Sequence, residues 1–117
     1  MKLDLTRLQG DLRHFVEERE WEQFHSPKNL ATALSVEASE LLELFQWLDD
    51  AQSRQLTSEQ RDAVGLELAD ILFYLLQLSR ELDIDLDAAV ERKLTINAER
   101  YPVELSRGNA TKYDRRR

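Results

Sequence analysis

The sequence predicts an all-α fold built from four helices. Glycine and proline together contribute only five of the 117 residues, and the β-branched residues are scattered rather than grouped into alternating runs. Apolar residues recur at the three- and four-residue spacing of amphipathic helices. A chain of this length builds one domain around one core, and such a small domain often gains stability from a partner subunit. We therefore expect a single helical domain that forms an oligomer.

The first two predicted helices are joined by a short connection. The first extends from about Asp4 to Arg19, with apolar side chains at helical spacing: Leu5, Leu8, Leu12, Phe15 and Val16. The second begins at Ser26 and Pro27, a capping hydroxyl followed by a proline at the first helical position, where no amide hydrogen is needed. We expect this helix to reach about Asp49.

The polar stretch DDAQSRQLTSEQ is predicted to be a loop. Thr57 or Ser58 caps the third helix, which extends from Glu59 to Glu81. Its centre, ILFYLLQL, is apolar on nearly every side, so we expect it to be covered both within the chain and by another subunit.

The fourth helix is predicted from about Leu86 to Arg100. Asp83 or Asp85 caps it, and Pro102 ends it because proline cannot continue a helix. Residues 1–102 would then form the helical domain, and residues 103–117 a polar, mobile tail.

Composition excludes several classes of function. The net charge of −7 argues against a nucleic-acid partner, because phosphate binding requires a basic surface. The absence of cysteine removes disulfides, thiolate nucleophiles and thiolate metal sites, and it is compatible with a reducing cytosol. No apolar run approaches the roughly 18 residues of a membrane span, and the first residues lack the apolar core of a signal peptide. We expect a soluble cytoplasmic protein with no membrane partner.

Two pairs of acids carry the strongest chemical signal. Glu37 and Glu40 lie three residues apart on the second helix, and Glu67 and Asp70 share that spacing on the third, so each pair stacks on one face. Glu37 and Glu67 project among leucines and other apolar residues, where facing helices would bring the carboxylates together. Like charges in a poorly solvated space need a cation to stay ionised. Oxygen ligands select magnesium, manganese or calcium. The alternative interpretation, ordinary acids satisfied by lysines or water, explains the repeated spacing less well.

Further polar and aromatic residues are candidates for nucleotide contacts. Lys93 and Asn97 share a predicted inward face of the fourth helix, although a snorkelling lysine and a backbone-bonded asparagine would give the same pattern. Trp21 and Trp47 lie in polar neighbourhoods and can stack on a base, whereas Phe24 is more typical of a core residue.

These residues together resemble a known family. The pattern ExxE at Glu37 to Glu40, followed by ExxD at Glu67 to Asp70, resembles that of the MazG-like all-α nucleotide pyrophosphohydrolases. The stretches EREWEQFHSPKNL, ELLELFQW, ELADILFYLLQL, KLTINAERYP and TKY are similar in order and spacing to the dCTP pyrophosphatase branch of that superfamily. The resemblance covers roughly residues 12 to 113.

The resemblance implies a four-helix bundle that assembles into dimers or dimers of dimers. It also implies magnesium-dependent hydrolysis of a nucleoside triphosphate, most typically dCTP or a modified dCTP, to the monophosphate and pyrophosphate in nucleotide-pool house-cleaning. By matching position, the catalytic metal ligands are Glu37, Glu40, Glu67 and Asp70. The positions that line or close the nucleotide site are Trp21, His25, Asn29, Trp47, Tyr74, Lys93, Asn97, Lys112 and Tyr113. Within these sets, Glu40 is the candidate proton acceptor, and Lys93 and Lys112 would hold phosphates.

Two alternatives stay open at the level of sequence. The enzyme would act on dUTP, or on a broad range of triphosphates, if the base pocket does not select cytosine. A non-catalytic helical interaction module would use the same acids as a structural metal site or as an acidic patch for a basic partner.

Overall fold

The computed structural model describes residues 1–116, and Arg117, the last residue of the predicted tail, lies outside the described residues. All of the regular secondary structure in residues 1–116 is helical and none of it is strand, which confirms the all-α prediction. Two short 3₁₀ helices cover Glu22–Phe24 and Tyr113–Arg115. The α-helices are α1 (Leu5–Glu18), α2 (Pro27–Glu43), α3 (Asp50–Arg54), α4 (Ser58–Glu81), α5 (Leu86–Arg100) and α6 (Val103–Ser106).

The chain divides into two compact units. The first, Met1–Asp83, contains α1 to α4, and the second begins at Ile84 and contains α5 and α6. The predicted division after residue 102 stays a prediction. No helix within residues 1–116 combines the length and the apolar character needed to cross a bilayer.

Side-chain caps fix the beginnings of the helices. The Ser26 hydroxyl accepts a hydrogen bond from the Asn29 amide at 3.1 Å, and Pro27 opens α2 as predicted. Thr57, rather than Ser58, caps α4 through a reciprocal pair of hydrogen bonds with Gln60. At the start of α5 the cap is Asp85 rather than Asp83.

The predicted end of α2 at Asp49 is wrong, because the helix ends at Glu43. Asp49 adopts an extended backbone and caps α3, accepting from the Gln52 amide at 2.7 Å while Gln52 accepts from the Asp49 amide at 2.9 Å. Aspartate competes with helical hydrogen bonding in this way and favours caps over helix interiors. The segment predicted to be a loop therefore contains the short helix α3.

The tail is more structured than predicted, since it contains α6 and the second 3₁₀ helix. The rings of Tyr101 and Tyr113 meet edge to face at 6.1 Å, and the Arg100 guanidinium lies 4.4 Å from the centre of the Tyr113 ring. Arg116 donates a hydrogen bond to the Arg100 carbonyl at 2.5 Å.

In the first unit, α1 and α2 both pack against α4. The Gln9 side-chain amide donates to the Leu76 carbonyl at 2.8 Å and to the Ser79 hydroxyl at 3.2 Å, which joins α1 to α4. The buried apolar side chains among the described residues are Val16, Leu30 and Leu76, of which Leu30 and Leu76 are fully buried. The packing of α2 against α4 brings together the two helices that carry the acid pairs.

Candidate functional site

The acid pairs of α2 and α4 converge where these two helices pack. One carboxylate oxygen from each of Glu37, Glu67 and Asp70 lies within 4.8 Å of the other two. Glu37 and Glu67 are half-buried, and Asp70 is exposed. The spacing of the two acid pairs, read from the sequence alone, thus identifies three side chains that the fold brings to one place.

Glu40 lies beside this cluster rather than within it. Its side chain is half-buried and lies close enough to raise the pKa of Glu37, but it is not one of the three acids whose oxygens converge within 4.8 Å. Glu43, the next acid of α2, is exposed. The structure therefore separates a triad, which we call the acid triad (Glu37, Glu67 and Asp70), from one neighbouring carboxylate.

The crowding of carboxylates changes their proton affinity. The pKa of Glu37 rises from 4.5 to about 7, chiefly because its protonated form can donate a hydrogen bond to Glu67, then because of burial, of the same interaction with Glu40 and of the negative charges of Glu40 and Glu67. Burial, followed by the negative charges of Glu37, Asp70 and Glu40, raises the pKa of Tyr74. The local field is thus strongly negative, which favours binding of a proton or of a cation.

Two buried oxygen atoms of the acid triad indicate a site for a cation. The Oε2 atoms of Glu37 and Glu67 are both buried and have no hydrogen-bond partner, which is costly for charged groups. A divalent cation would satisfy both atoms and neutralise the cluster. Because all of the donors are carboxylate oxygens, the triad fits a hard cation of the magnesium, manganese or calcium type.

A cavity of about 460 Å³ adjoins the acid triad and shares Asp70 with it. This volume lies within the range of small-molecule sites. Apolar and aromatic side chains make up most of its wall, and the Trp21 ring meets Phe15 at 5.8 Å and His25 at 6.5 Å, both edge to face. We call it the aromatic cavity; its lining residues are Asp11, Leu12, Phe15, Val16, Trp21, His25, Asp70, Phe73, Tyr74 and Gln77.

Three of the predicted nucleotide-site residues, Trp21, His25 and Tyr74, line the aromatic cavity. Asn29 does not line it; its side-chain amide donates to the Phe24 carbonyl at 2.9 Å and holds the turn before α2. Trp47 is 86% exposed and is also absent from the cavity wall. Within one chain, the aromatic cavity therefore contains one of the two tryptophans proposed for stacking.

The remaining predicted residues belong to the second unit. Lys93 and Asn97 are exposed on α5, and Lys112 is exposed just before the second 3₁₀ helix. Tyr113 is half-buried against Tyr101 and Arg100. Their roles in binding phosphates or closing the site stay predictions.

Sequence reasoning missed several polar residues of the first unit that line cavities. Gln77 lines the aromatic cavity and also a second cavity of about 190 Å³, which it shares with Val16 and His25. The signal for Gln77 was its helical spacing from Asp70 and Tyr74, which places all three on one face of α4. Asp11 carried no such signal, because only the packing of α1 on α4 brings it to the cavity.

Di-iron helical bundles use Glu-x-x-His pairs from two helices as metal ligands. Glu22 and His25 have this spacing. They belong to the turn between α1 and α2 and line the smaller cavity, and neither is part of the acid triad. The triad therefore does not match a di-iron ligand set.

Comparison with known proteins gives consistent results. The MazG-like family profile matches residues 32–115. The chain is 46% identical to dCTP pyrophosphatase 1 of Rattus norvegicus and 43% identical to that of Homo sapiens, in each case over 112 residues. Each alignment covers 94% of this chain and 64% of the relative, so the chain spans slightly less than two thirds of the length of these relatives.

A solved structure has the same fold. The crystal structure of a pyrophosphatase from Archaeoglobus fulgidus superimposes with a TM-score of 0.80 at 37% sequence identity. The superposition covers 87% of this chain and 95% of the archaeal chain.

Proposed function

The chain belongs to the MazG-like family, and from this premise we propose that it is a magnesium-dependent nucleoside triphosphate pyrophosphohydrolase. Its substrate is dCTP or a modified dCTP, and its products are the monophosphate and pyrophosphate. The names of the relatives support the substrate, since both are dCTP pyrophosphatases.

The observation that carries this proposal is the position of the acid triad at the edge of the aromatic cavity. Asp70 belongs to both, so a molecule bound in the cavity would have one end beside the carboxylates. A nucleoside triphosphate has this character, with a flat base at one end and phosphates that bind divalent cations at the other. A structural metal site would require no such cavity.

In the proposed mechanism the acid triad and Glu40 have different roles. Glu37, Glu67 and Asp70 would hold the cation, which supplies positive charge for the triphosphate oxygens and the leaving pyrophosphate. Glu40 lies beside the triad without belonging to it. It is therefore free to accept a proton from the attacking water, as a general base must.

The base would bind between aromatic side chains of the cavity. Trp21 and Tyr74 both line it, and stacking on one aromatic ring contributes roughly 1 to 3 kcal/mol per base. In this proposal Lys93 and Lys112 contact phosphates, with Asn97 and Tyr113 closing over the nucleotide. Asn29 acts indirectly, by holding the turn that carries Trp21 and His25.

We also propose that the active protein is a homo-oligomer. On α4, Leu66 is 72% exposed and Leu68 is 52% exposed, and on α2 Leu42 is 65% exposed. These are large apolar side chains on the two helices that carry the catalytic acids, and apolar patches of this kind mark interfaces. A second copy of the chain would cover them.

A substrate panel tests the proposed function. The protein is incubated with magnesium and, separately, with dCTP, dUTP, dTTP, dATP or dGTP, and the products are separated by ion-exchange chromatography. We expect dCMP and pyrophosphate in a 1:1 ratio, no monophosphate when EDTA replaces magnesium, and the fastest turnover with dCTP. Equal turnover of all five would support the broad-range alternative. If no triphosphate is hydrolysed, the protein is not this enzyme, and the interaction module becomes the better account.

A further inference from the structure

We propose that Asp11 of α1 and Gln77 of α4 recognise the exocyclic amino group of the bound base, so that cytosine is accepted and uracil and thymine are rejected. This inference rests on the proposed function. It assigns the choice of base to two side chains that the sequence pattern did not identify.

The face of α4 that lines the aromatic cavity gives the direction of the bound nucleotide. Asp70, Tyr74 and Gln77 follow one another on this face, and seven residues of helix span roughly 10 Å along its axis. Asp70 belongs to the acid triad, where the phosphates would lie. Gln77 lies at the opposite end of the lining, so the base of a nucleotide would point toward it.

Gln77 offers an acceptor that the protein itself leaves unused. Its Oε1 atom is buried and has no hydrogen-bond partner, and such unpaired polar atoms are uncommon in folded proteins. Rotation about the last torsion of glutamine is soft. Because Gln77 lines the aromatic cavity, rotation about this torsion can present the oxygen to a ligand there, and a donor on that ligand would satisfy it.

Asp11 provides the discrimination, because a carboxylate accepts hydrogen bonds and does not donate them. It is the one acid besides Asp70 in the wall of the aromatic cavity, where its neighbours include Leu12 and Phe15. The amino group of cytosine has two hydrogens, one for Asp11 and one for Gln77. Uracil and thymine present a carbonyl oxygen at the same position, which a carboxylate repels. Gln77 alone cannot discriminate, since its amide can turn and donate to that carbonyl.

Polar recognition of this kind gives strong selectivity. A site built to pair with a donor rejects an analogue that lacks the donor. The Asp11 carboxylate is exposed, and a bound base would shield it from water and leave it either paired with the amino group or facing a carbonyl oxygen. The aromatic rings contribute affinity for any base, because every base has a face on which to stack. Selectivity and affinity therefore lie on different residues, which makes them separable by substitution.

The test compares kcat/KM for dCTP and dUTP in the magnesium-loaded enzyme. Asp11→Asn keeps the size of the side chain but adds a donor, so we expect the dCTP-to-dUTP ratio to fall by about tenfold to a hundredfold. Gln77→Met keeps the length but removes both the acceptor and the donor of the amide, so we expect it to lower kcat/KM for dCTP and dUTP alike and to change their ratio much less than Asp11→Asn does. Asp62→Asn, an exposed acid of α4 outside the aromatic cavity, is the matched control and should leave the ratio unchanged. The comparison uses pyrimidines because adenine also carries an amino group.

A binding measurement without turnover provides the second readout. Quenching of tryptophan fluorescence by dCMP and by dUMP, in EDTA, should show a preference for dCMP that Asp11→Asn weakens and Asp62→Asn retains. If the wild-type enzyme prefers dCTP and Asp11→Asn keeps that preference in both assays, the inference is wrong while the proposed function stands. If the wild-type protein releases no pyrophosphate from any triphosphate, the proposed function itself fails. If the wild-type enzyme hydrolyses dUTP and dCTP with equal kcat/KM, the recognition of an amino group is refuted.

Discussion

At the scale of single residues, the acid triad is an unfavourable arrangement that a bound cation would relieve. The Oε2 atoms of Glu37 and Glu67 are buried without partners, and the pKa of Glu37 is raised to about 7. A chain that held these acids together for stability alone would gain from replacing one of them with an amide. Stability and activity should therefore respond in opposite directions to the same substitution.

Glu67→Gln tests this directly. We expect it to lower pyrophosphate release by more than about a hundredfold, since even residues that only orient metal ligands cost up to that factor. The melting temperature of the metal-free variant should equal or exceed that of the metal-free wild type, because one of the like charges is gone. Glu43→Gln, at an exposed acid of the same row on α2, should leave turnover unchanged. Wild-type turnover by Glu67→Gln at saturating magnesium would remove Glu67 from the metal site.

The raised pKa of Glu37 also predicts a pH dependence of stability in EDTA. A folded-state pKa of about 7, against an ordinary value of 4.5, means that the folded protein binds this proton more tightly than the unfolded chain does. The stabilisation is complete below about pH 4.5 and is lost as the pH rises through about 7. When thermal unfolding is measured from about pH 5 to about pH 8, the melting temperature should fall as the pH rises. This fall should be smaller in Glu37→Gln. Identical slopes for the two proteins would contradict the assignment.

The two tryptophans should behave differently within the nucleotide site. Trp21 lines the aromatic cavity, so we expect Trp21→Ala to raise KM by about tenfold to a hundredfold with a smaller change in kcat. Trp47 lies outside the cavity wall and is 86% exposed, and its role in stacking stays a prediction. Kinetics, melting temperature and oligomer size measured on Trp47→Ala separate loss of binding from loss of assembly. An unfolded or dissociated Trp47→Ala protein would count against stacking.

At the scale of the helices, a helix boundary is predictable from the sequence where it depends on neighbouring residues. Ser26 is the predicted cap of α2, and Thr57 and Asp85 are each one of two predicted candidates, because capping depends on a few neighbouring positions. The end of α2 was missed because Leu44 and Leu48 continue the apolar spacing, while the competing signal was the cap at Asp49. A helix end depends on whether a capping residue outweighs the continued apolar spacing, and the spacing alone does not show this.

The candidate site was predictable only in part, for a related reason. Glu37, Glu67 and Asp70 were identified because their anomaly, acids on an apolar face, is visible along each helix. Gln77 was read as part of the apolar stretch ILFYLLQL, although its amide lines two cavities. Asp11 looks like any exposed acid of α1 until the packing against α4 is known. Contacts between distant segments, rather than residue type, give these two side chains their place.

At the scale of the whole molecule, the described residues bury few apolar side chains and leave several large ones exposed, which agrees with the proposed oligomer. Val16, Leu30 and Leu76 are the buried ones, while Leu42, Leu66 and Leu68 are more than half exposed. We expect the melting temperature to rise with protein concentration, as it does when association stabilises the folded state. Light scattering should give a mass above the 13.7 kDa of one chain. The substitution Leu42→Lys should lower the measured mass, because it places a charge in the proposed interface. A well-folded monomer at micromolar concentration, with a melting temperature independent of concentration, would refute the oligomer.

The most direct measurement of the central claim is divalent cation binding by the acid triad, followed through the electron paramagnetic resonance signal of free manganese. Titration of the wild-type protein with Mn²⁺ should show saturable loss of the free-ion signal, with magnesium restoring it by competition. Glu67→Gln and Asp70→Asn should weaken this binding by more than about tenfold, and Glu43→Gln should bind as the wild type does. Wild-type protein that leaves the free manganese signal unchanged, or a Glu67→Gln protein that binds with undiminished affinity, would contradict the account.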